Sequence, residues 1–264
     1  MSRSILSSLS FSPSFTTLSI ALCSAFLPAT TAFSVESCSA KSAETITPVI
    51  ELYTSEGCSS CPPADAWLSQ FKAAQLEGKV VAQAFHVNYW DYIGWTDRFA
   101  APAYTQRQRE LSKRTNLSSI YTPQLAKNGL TVRDYGKHAA LIAGSEAAKA
   151  NIALSQLEPN RFEAKIAPVD AASNWSAYFT VTEHDHISRV TAGENKGESL
   201  KNDFVVRQYV PLGQFSGAQT LKFSSLAPTI NNGISAGKAH PRQINVVVTD
   251  SKSGKTLQAL SLGC

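Results

Sequence analysis

The sequence predicts an α/β domain followed by an all-β, sandwich-like domain, and three observations carry that reading. Short buried-strand patterns alternate with helical ones up to about residue 157. A C-x-x-C pair, Cys58 and Cys61, sits where the first clear strand gives way to the first helix. Beyond Glu158-Pro159-Asn160 only short strand-like runs separated by Gly, Asn and Pro remain.

Taken in order, residues 33–47 are Ser- and Ala-rich without periodicity and read as a flexible lead-in. The α/β domain is expected over 48–157. Pro48 to Thr54 is an apolar run suited to a buried strand. From Pro62, residues Ala64, Trp67, Leu68, Phe71 and Leu76 recur at helical spacing, and Gly78 stops the helix. Lys79 to Val87 is the next strand, ending near His86, and an aromatic segment, NYWDYIGWTDRF, follows from Asn88 to Phe99. Pro102 opens a second helix to about Arg114, whose basic residues Arg107, Arg109, Lys113 and Arg114 are expected on a solvated face. Asn128-Gly129 favours a tight hairpin turn with Leu130 to Arg133 as return strand. An Ala-rich pattern from Tyr135 to about Leu157 predicts a third helix. The β domain is expected over 158–264, with strands at Trp175–Val181, Asp203–Val210, Gln219–Phe223 and Ile244–Val248.

At 264 residues with 43% hydrophobic and 17% charged residues, the chain can bury real cores and is not a disordered polymer. Its formal charge of +4 comes from scattered Lys and Arg, which argues against a nucleic-acid partner. Residues 1–32 read as a signal peptide: Arg3, a modest apolar core from Phe15 to Leu27, and small residues Thr30-Thr31-Ala32 before a cleavage site. The expectation is a secreted or periplasmic protein with no stable membrane span. Loss of the signal removes Cys23 and leaves Cys38, Cys58, Cys61 and Cys264, an even number that suits an oxidising compartment.

Two residues between Cys58 and Cys61 let both sulfurs meet at the first turn of a helix, whose free N–H groups favour a thiolate. In thiol–disulfide exchange Cys58 would attack and Cys61 would resolve the mixed disulfide, with protein thiols or disulfides as partners and no cofactor. Glu56 and Asp65 place carboxylates nearby and oppose a strongly lowered thiol pKa. A structural disulfide and half of a metal site stay open as alternatives. Thr122-Pro123, after a helix and before the hairpin, is the second element of a thioredoxin-like site: a cis proline there would face the cysteines and present backbone to substrate.

The segments ELYTSEGCSSCPPAD, AFHVNYWDYIGWTDRFAAPAYTQRQR and YTPQL with the following Asn-Gly resemble the secreted thioredoxin-like family classed as a domain of unknown function. GENKGESLKNDFVVR resembles that family's C-terminal signature. The resemblance spans about residues 48–264. It implies a thioredoxin-like N-terminal domain, a β-rich C-terminal domain, and active-site positions at Cys58, Cys61 and Pro123. It implies no established reaction. Gly57 before the pair and Ser59-Ser60 within it depart from the familiar thioredoxin motif.

Trp90, Tyr92, Trp95 and Thr122 are candidates for a substrate groove, with packing as the competing role. His86, with Cys58 and Cys61, could supply soft ligands for copper or zinc. His184 and His186 alternate and read as a surface pair. Cys38 and Cys264, near the two ends of the mature chain, would staple its termini if bonded, adding up to about 5 kcal/mol.

Overall fold

Two runs without a single exposed residue, VIELYT and VAQAFH, can only be interior strands covered on both faces, and they organise the chain. The computed structural model describes residues 1, 10, 12, 38–133, 141–143, 146–230 and 237–263. Its first strands are β1 (Ser39–Lys41), β2 (Val49–Thr54) and β3 (Val81–His86), with helices α1 (Pro62–Leu68) and α2 (Lys72–Leu76) between the last two. Helix α3 (Pro102–Arg114) precedes β4 (Gln124–Lys127) and β5 (Leu130–Val132). The second half supplies β6 (Ala150–Glu158), β7 (Arg161–Pro168), β8 (Asn174–Glu183), β9 (His186–Arg189), β10 (Ser199–Asn202) and β11 (Val205–Ser216). It ends with β12 (Gln219–Ser224), β13 (Arg242–Asp250) and β14 (Thr256–Leu262).

Among the described residues one sheet of eight strands runs in the order β14-β13-β8-β11-β3-β2-β4-β5. Strands β2 and β3 are parallel, β4 is antiparallel to β2, and β11 lies parallel to β3 before pairing antiparallel with β8. A second sheet, β1-β6-β7-β12, packs on the β8-β13-β14 end through Ile152, Phe162, Trp175, Phe179, Val246 and Leu260. At the other end α1 covers β2, β3 and β4 through Trp67, Leu68, Ile50, Ala82 and Leu125. Helix α3 brings Tyr104 and Leu111 onto Tyr53, Phe85 and Ala126 in a separate cluster.

This architecture corrects the expected fold class. Among the described residues strand outweighs helix by 44% to 15%, and there is no thioredoxin-like α/β unit followed by a separate β sandwich. The expected α/β strands form one end of a sheet whose other strands come from the second half, and Ser37–Cys264 clusters as one compact unit. The physical reason is the outer edge of β3. A fully buried strand needs a partner on that side, and β11 satisfies it through Val205 opposite Ala84. A polar seam continues the join: Thr180 on β8 donates to Gln83 on β3, and Gln83 donates to the Tyr178 hydroxyl.

The third predicted helix is likewise corrected in part. Residues 141 and 142 are helical, but 150–158 form β6, and residues 134–140 and 144–145 lie outside the described residues. Ala150, Ile152 and Leu154 alternate inward along β6, a period of two inside an Ala-rich run that also satisfies helical spacing. Elsewhere local chemistry prevailed. Proline opens α1 and α3 at the expected positions, and Asn128 (φ 52) with Gly129 (φ 80) makes the β4–β5 turn.

Candidate functional site

The sequence Ser55-Glu56-Gly57 leaves β2 at the end of the sheet and delivers Cys58 just before α1, whose N-cap is Cys61. Cys58 and Cys61 are joined by a disulfide, and both are buried, at 1% and 0% exposure. The intervening Ser59 and Ser60 are exposed, and the Ser60 hydroxyl lies 3.4 Å from the Cys58 sulfur. The bridge is therefore a buried bond under a thin exposed turn.

Asp97, at the end of the aromatic segment, ties this loop to the sheet. Its Oδ2 accepts from His86 Nδ1 at 2.7 Å and from the Glu56 amide at 2.9 Å, and its Oδ1 accepts from the Phe99 amide. His86 ends β3 opposite Thr54, so the pair sits directly behind the cysteine loop. Burial pulls the His86 pKa down, but the Asp97 carboxylate, with Asp65 and Glu56, outweighs it and holds His86 above its ordinary value. Burial alone would raise Asp97; the His86 charge and three hydrogen bonds bring it below the usual carboxylate range. Wherever His86 is protonated, the two side chains form an ion pair.

Asp65, in the first turn of α1, accepts from the Thr54 hydroxyl at 2.9 Å. Burial, opposed by the charge of His86, pushes it up to about 7. A carboxyl raised in the folded state holds its proton longer than in the unfolded chain. Its effect on stability is therefore neutral at low pH and grows unfavourable from about 4 to 7. On going from pH 4 to pH 8, Asp65→Asn is expected to gain roughly 2–4 kcal/mol on the parent in urea unfolding. A difference that stays flat with pH contradicts the assignment.

The aromatic segment and the proline close the near side. Trp90 Nε1 donates to the Thr122 hydroxyl at 2.7 Å, and Trp95 Nε1 donates to Glu56 Oε2 at 3.0 Å. The Thr122–Pro123 bond is cis, and Gln124 pairs with Tyr53, so Pro123 lies at the sheet end that carries the cysteine loop. Tyr92 is 83% exposed, and Trp90 and Ile93 on the same segment flank Gly57. A Cβ on Gly57 would come 3.1 Å from Trp90 Cβ, so any side chain here would crowd Trp90. Trp90 and Trp95 thus serve packing and hydrogen bonding, and Tyr92 is the exposed ring.

The far side comes from the signature in the second half. Asn195 Nδ2 donates to the carbonyls of Glu56 and Cys58, at 2.8 and 3.0 Å. Glu194 Oε2 accepts from the Ser59 amide at 2.9 Å, and Asn202 Nδ2 donates to Glu56 Oε1 at 2.8 Å. Asp203 pairs with Lys72 on α2 at 2.6 Å, and Phe204, buried at φ 56, turns the chain into β11. Sequence reasoning missed Asp97, Asn195 and Asn202 as site residues. The signal was present in the quoted signature, but nothing in one sequence links residue 195 to residue 58.

Other expectations are corrected. His184 and His186 do not form a surface pair. Both are buried: His184 accepts from the Phe204 amide, and His186 stacks on His240 at 3.7 Å between centroids. Arg107 is not on a solvated face, since it reaches inward to Glu51, whereas Arg109, Lys113 and Arg114 are exposed. No group of three His, Cys, Asp or Glu among the described residues is arranged to hold a metal ion. Cys38 is disulfide-bonded and its sulfur lies 4.0 Å from the Gly263 carbonyl; Cys264 lies outside the described residues, as do Cys23 and nearly all of the segment read as a signal. No helix among the described residues is long and apolar enough to cross a membrane.

The segments that meet here fall inside residues 49–247, the range matched by a family profile described as a protein of unknown function, DUF1223. The chain belongs to the DUF1223 family. This DUF1223 protein is similar in structure to a protein of Agrobacterium tumefaciens determined by crystallography in a structural-genomics programme. The TM-score is 0.59 at 23% identity, covering 83% of this chain and 95% of that one. It is also similar to HBP35 of Porphyromonas gingivalis, with a TM-score of 0.52 at 12% identity over 83% of this chain and 76% of that chain. At these identities the likeness concerns the fold of the DUF1223 chain alone. No curated protein matches it.

Proposed function

We propose that this DUF1223 protein carries out thiol–disulfide exchange through Cys58 and Cys61, in an oxidising compartment reached by export. One observation carries the reading: the two sulfurs are bonded at a strand-to-helix junction beside an exposed two-serine turn, with a cis proline at the same end of the sheet. With the pair reduced, the Cys58 thiolate attacks a substrate disulfide and forms a new S–S bond, and the substrate's other sulfur leaves as thiolate. Cys61 then attacks Cys58, releasing the second substrate sulfur, so the substrate gains two electrons and the pair closes to its bridge. The reverse sequence oxidises a substrate dithiol. Protein thiols or disulfides remain the proposed partners. Copper handling through Cys58, Cys61 and His86 is disfavoured, because the two cysteines are bonded to each other and no group of three such side chains among the described residues is arranged to hold a metal ion.

Cys61→Ser leaves Cys58 without its partner. Incubated with oxidised glutathione, this variant is expected to take one glutathione on Cys58, read by mass spectrometry. The absence of any adduct removes exchange and leaves a structural bridge.

A further inference from the structure

The bridge that the exchange reading needs to be attacked is buried, and the backbone on either side of Cys58 is held from the second half of the chain. Residues 193–195 form a turn between β9 and β10 that reaches across from the second half of the chain. Gly193 has φ +75, and a Cβ there would meet Ile93 Cδ1 at 3.1 Å and Trp95 Cβ at 3.4 Å. Asn195, only 6% exposed, donates to carbonyls on both sides of Gly57, at Glu56 and at Cys58. Glu194 is exposed and holds the Ser59 amide, the first peptide N–H beyond Cys58. Three hydrogen bonds from one short turn therefore fix the backbone on both sides of the first cysteine. The Ser59 side chain also hydrogen-bonds Glu194, so the exposed end of the turn holds the residue after Cys58 twice. Side-chain hydrogen bonds of this kind contribute modestly when made, and breaking them is within reach of thermal opening.

We propose that the Gly193–Asn195 turn is a latch over the cysteine pair, with Asn195 the positioning residue that holds Cys58 and Glu194 its exposed fastening. The inference rests on the exchange reading and adds how access to the sulfur is set. With the latch closed, a thiolate cannot line up behind the Cys58 sulfur. With it lifted, the incoming thiolate bonds to Cys58, the Cys58–Cys61 bond breaks, and Cys61 leaves with the electron pair and takes a proton. A second thiolate from the same reductant then frees Cys58.

The test measures the rate at which dithiothreitol reduces the bridge in the folded full chain, read by alkylation and mass spectrometry. Asn195→Ala, which loses two buried hydrogen bonds, is expected to react about tenfold faster than the parent, and Glu194→Ala, whose bonds to Ser59 are solvent-exposed, about threefold faster. Lys196→Ala, exposed on the same loop, keeps the parent rate. Phe223→Leu weakens the distant sandwich core without touching the turn, and also keeps the parent rate. Equal acceleration in Phe223→Leu means that reduction proceeds through general unfolding and overturns the latch. Unchanged rates in both Glu194→Ala and Asn195→Ala overturn it too; should Asn195→Ala fail to fold, the exposed Glu194→Ala decides alone. A latch that behaves as expected, with no glutathione adduct on Asn195→Ala combined with Cys61→Ser, would sink the exchange reading while leaving the latch intact.

Discussion

Asp97→Ala is expected to destabilise the protein by about 3–5 kcal/mol, because it leaves the His86 imidazolium buried without its counter-charge. The same change strands the amides of Glu56 and Phe99, which Asp97 now satisfies. For a unit of this size the loss corresponds to a fall of roughly 6–20 °C in Tm. The effect depends on pH in a definite direction. His86, raised in the folded state, contributes stability that is complete below its unfolded pKa near 6.5 and is lost as pH rises through the folded value. Asp97, lowered in the folded state, contributes above its unfolded value and loses it as pH falls. The variant should therefore fall furthest behind the parent between these limits. Adding His86→Ala to Asp97→Ala should cost less than the two single changes summed, as expected for one coupled pair. Additive losses in a denaturation series would show that the two do not act together.

Arg107→Met is expected to cost a similar amount, about 3–5 kcal/mol, for a different reason. Arg107 Nη2 pairs with Glu51 Oε1, and the Tyr53 and Tyr178 hydroxyls also donate to Glu51. The guanidinium lies 4.2 Å from the Tyr178 ring centroid and 4.9 Å from that of Tyr209. Burial raises the Glu51 pKa, but Arg107 outweighs it and keeps Glu51 below its ordinary value, so removing the cation leaves an uncompensated interior anion. Glu51→Gln combined with Arg107→Met should recover a substantial part of the loss, whereas Arg109→Ala on the exposed side of α3 should stay within about 0.5 kcal/mol. Equal effects for Arg107 and Arg109 by urea unfolding would contradict the buried pair.

These two clusters show what the sequence could and could not reveal. Local chemistry was readable. Pro62 and Pro102 mark helix starts, Asn128-Gly129 marks a hairpin, and Cys58-x-x-Cys61 marks a bonded pair at a helix entrance. Each of those signals is contained within a few residues. The architecture was not readable, because it turns on pairings between distant strands. Val205 beside Ala84 joins two halves that the composition separates, and nothing local to either residue announces it. The same holds within the site. Arg107 looks like its neighbours Arg109 and Lys113 until Glu51 is placed across from it. Asn195 and Asn202 are ordinary loop polar residues until their amides are found on the carbonyls and carboxylate of the cysteine loop. Gly57 carried a clue in its small size, which reflects the Trp90 side chain lying over it.

Equilibrating the protein in glutathione buffers of graded ratio, and counting the Cys58–Cys61 bridge that remains, tests the central proposal most directly. A cycling pair should give a reduction potential within roughly −270 to −120 mV. A value below about −300 mV would mark a permanent bridge and contradict exchange at these cysteines.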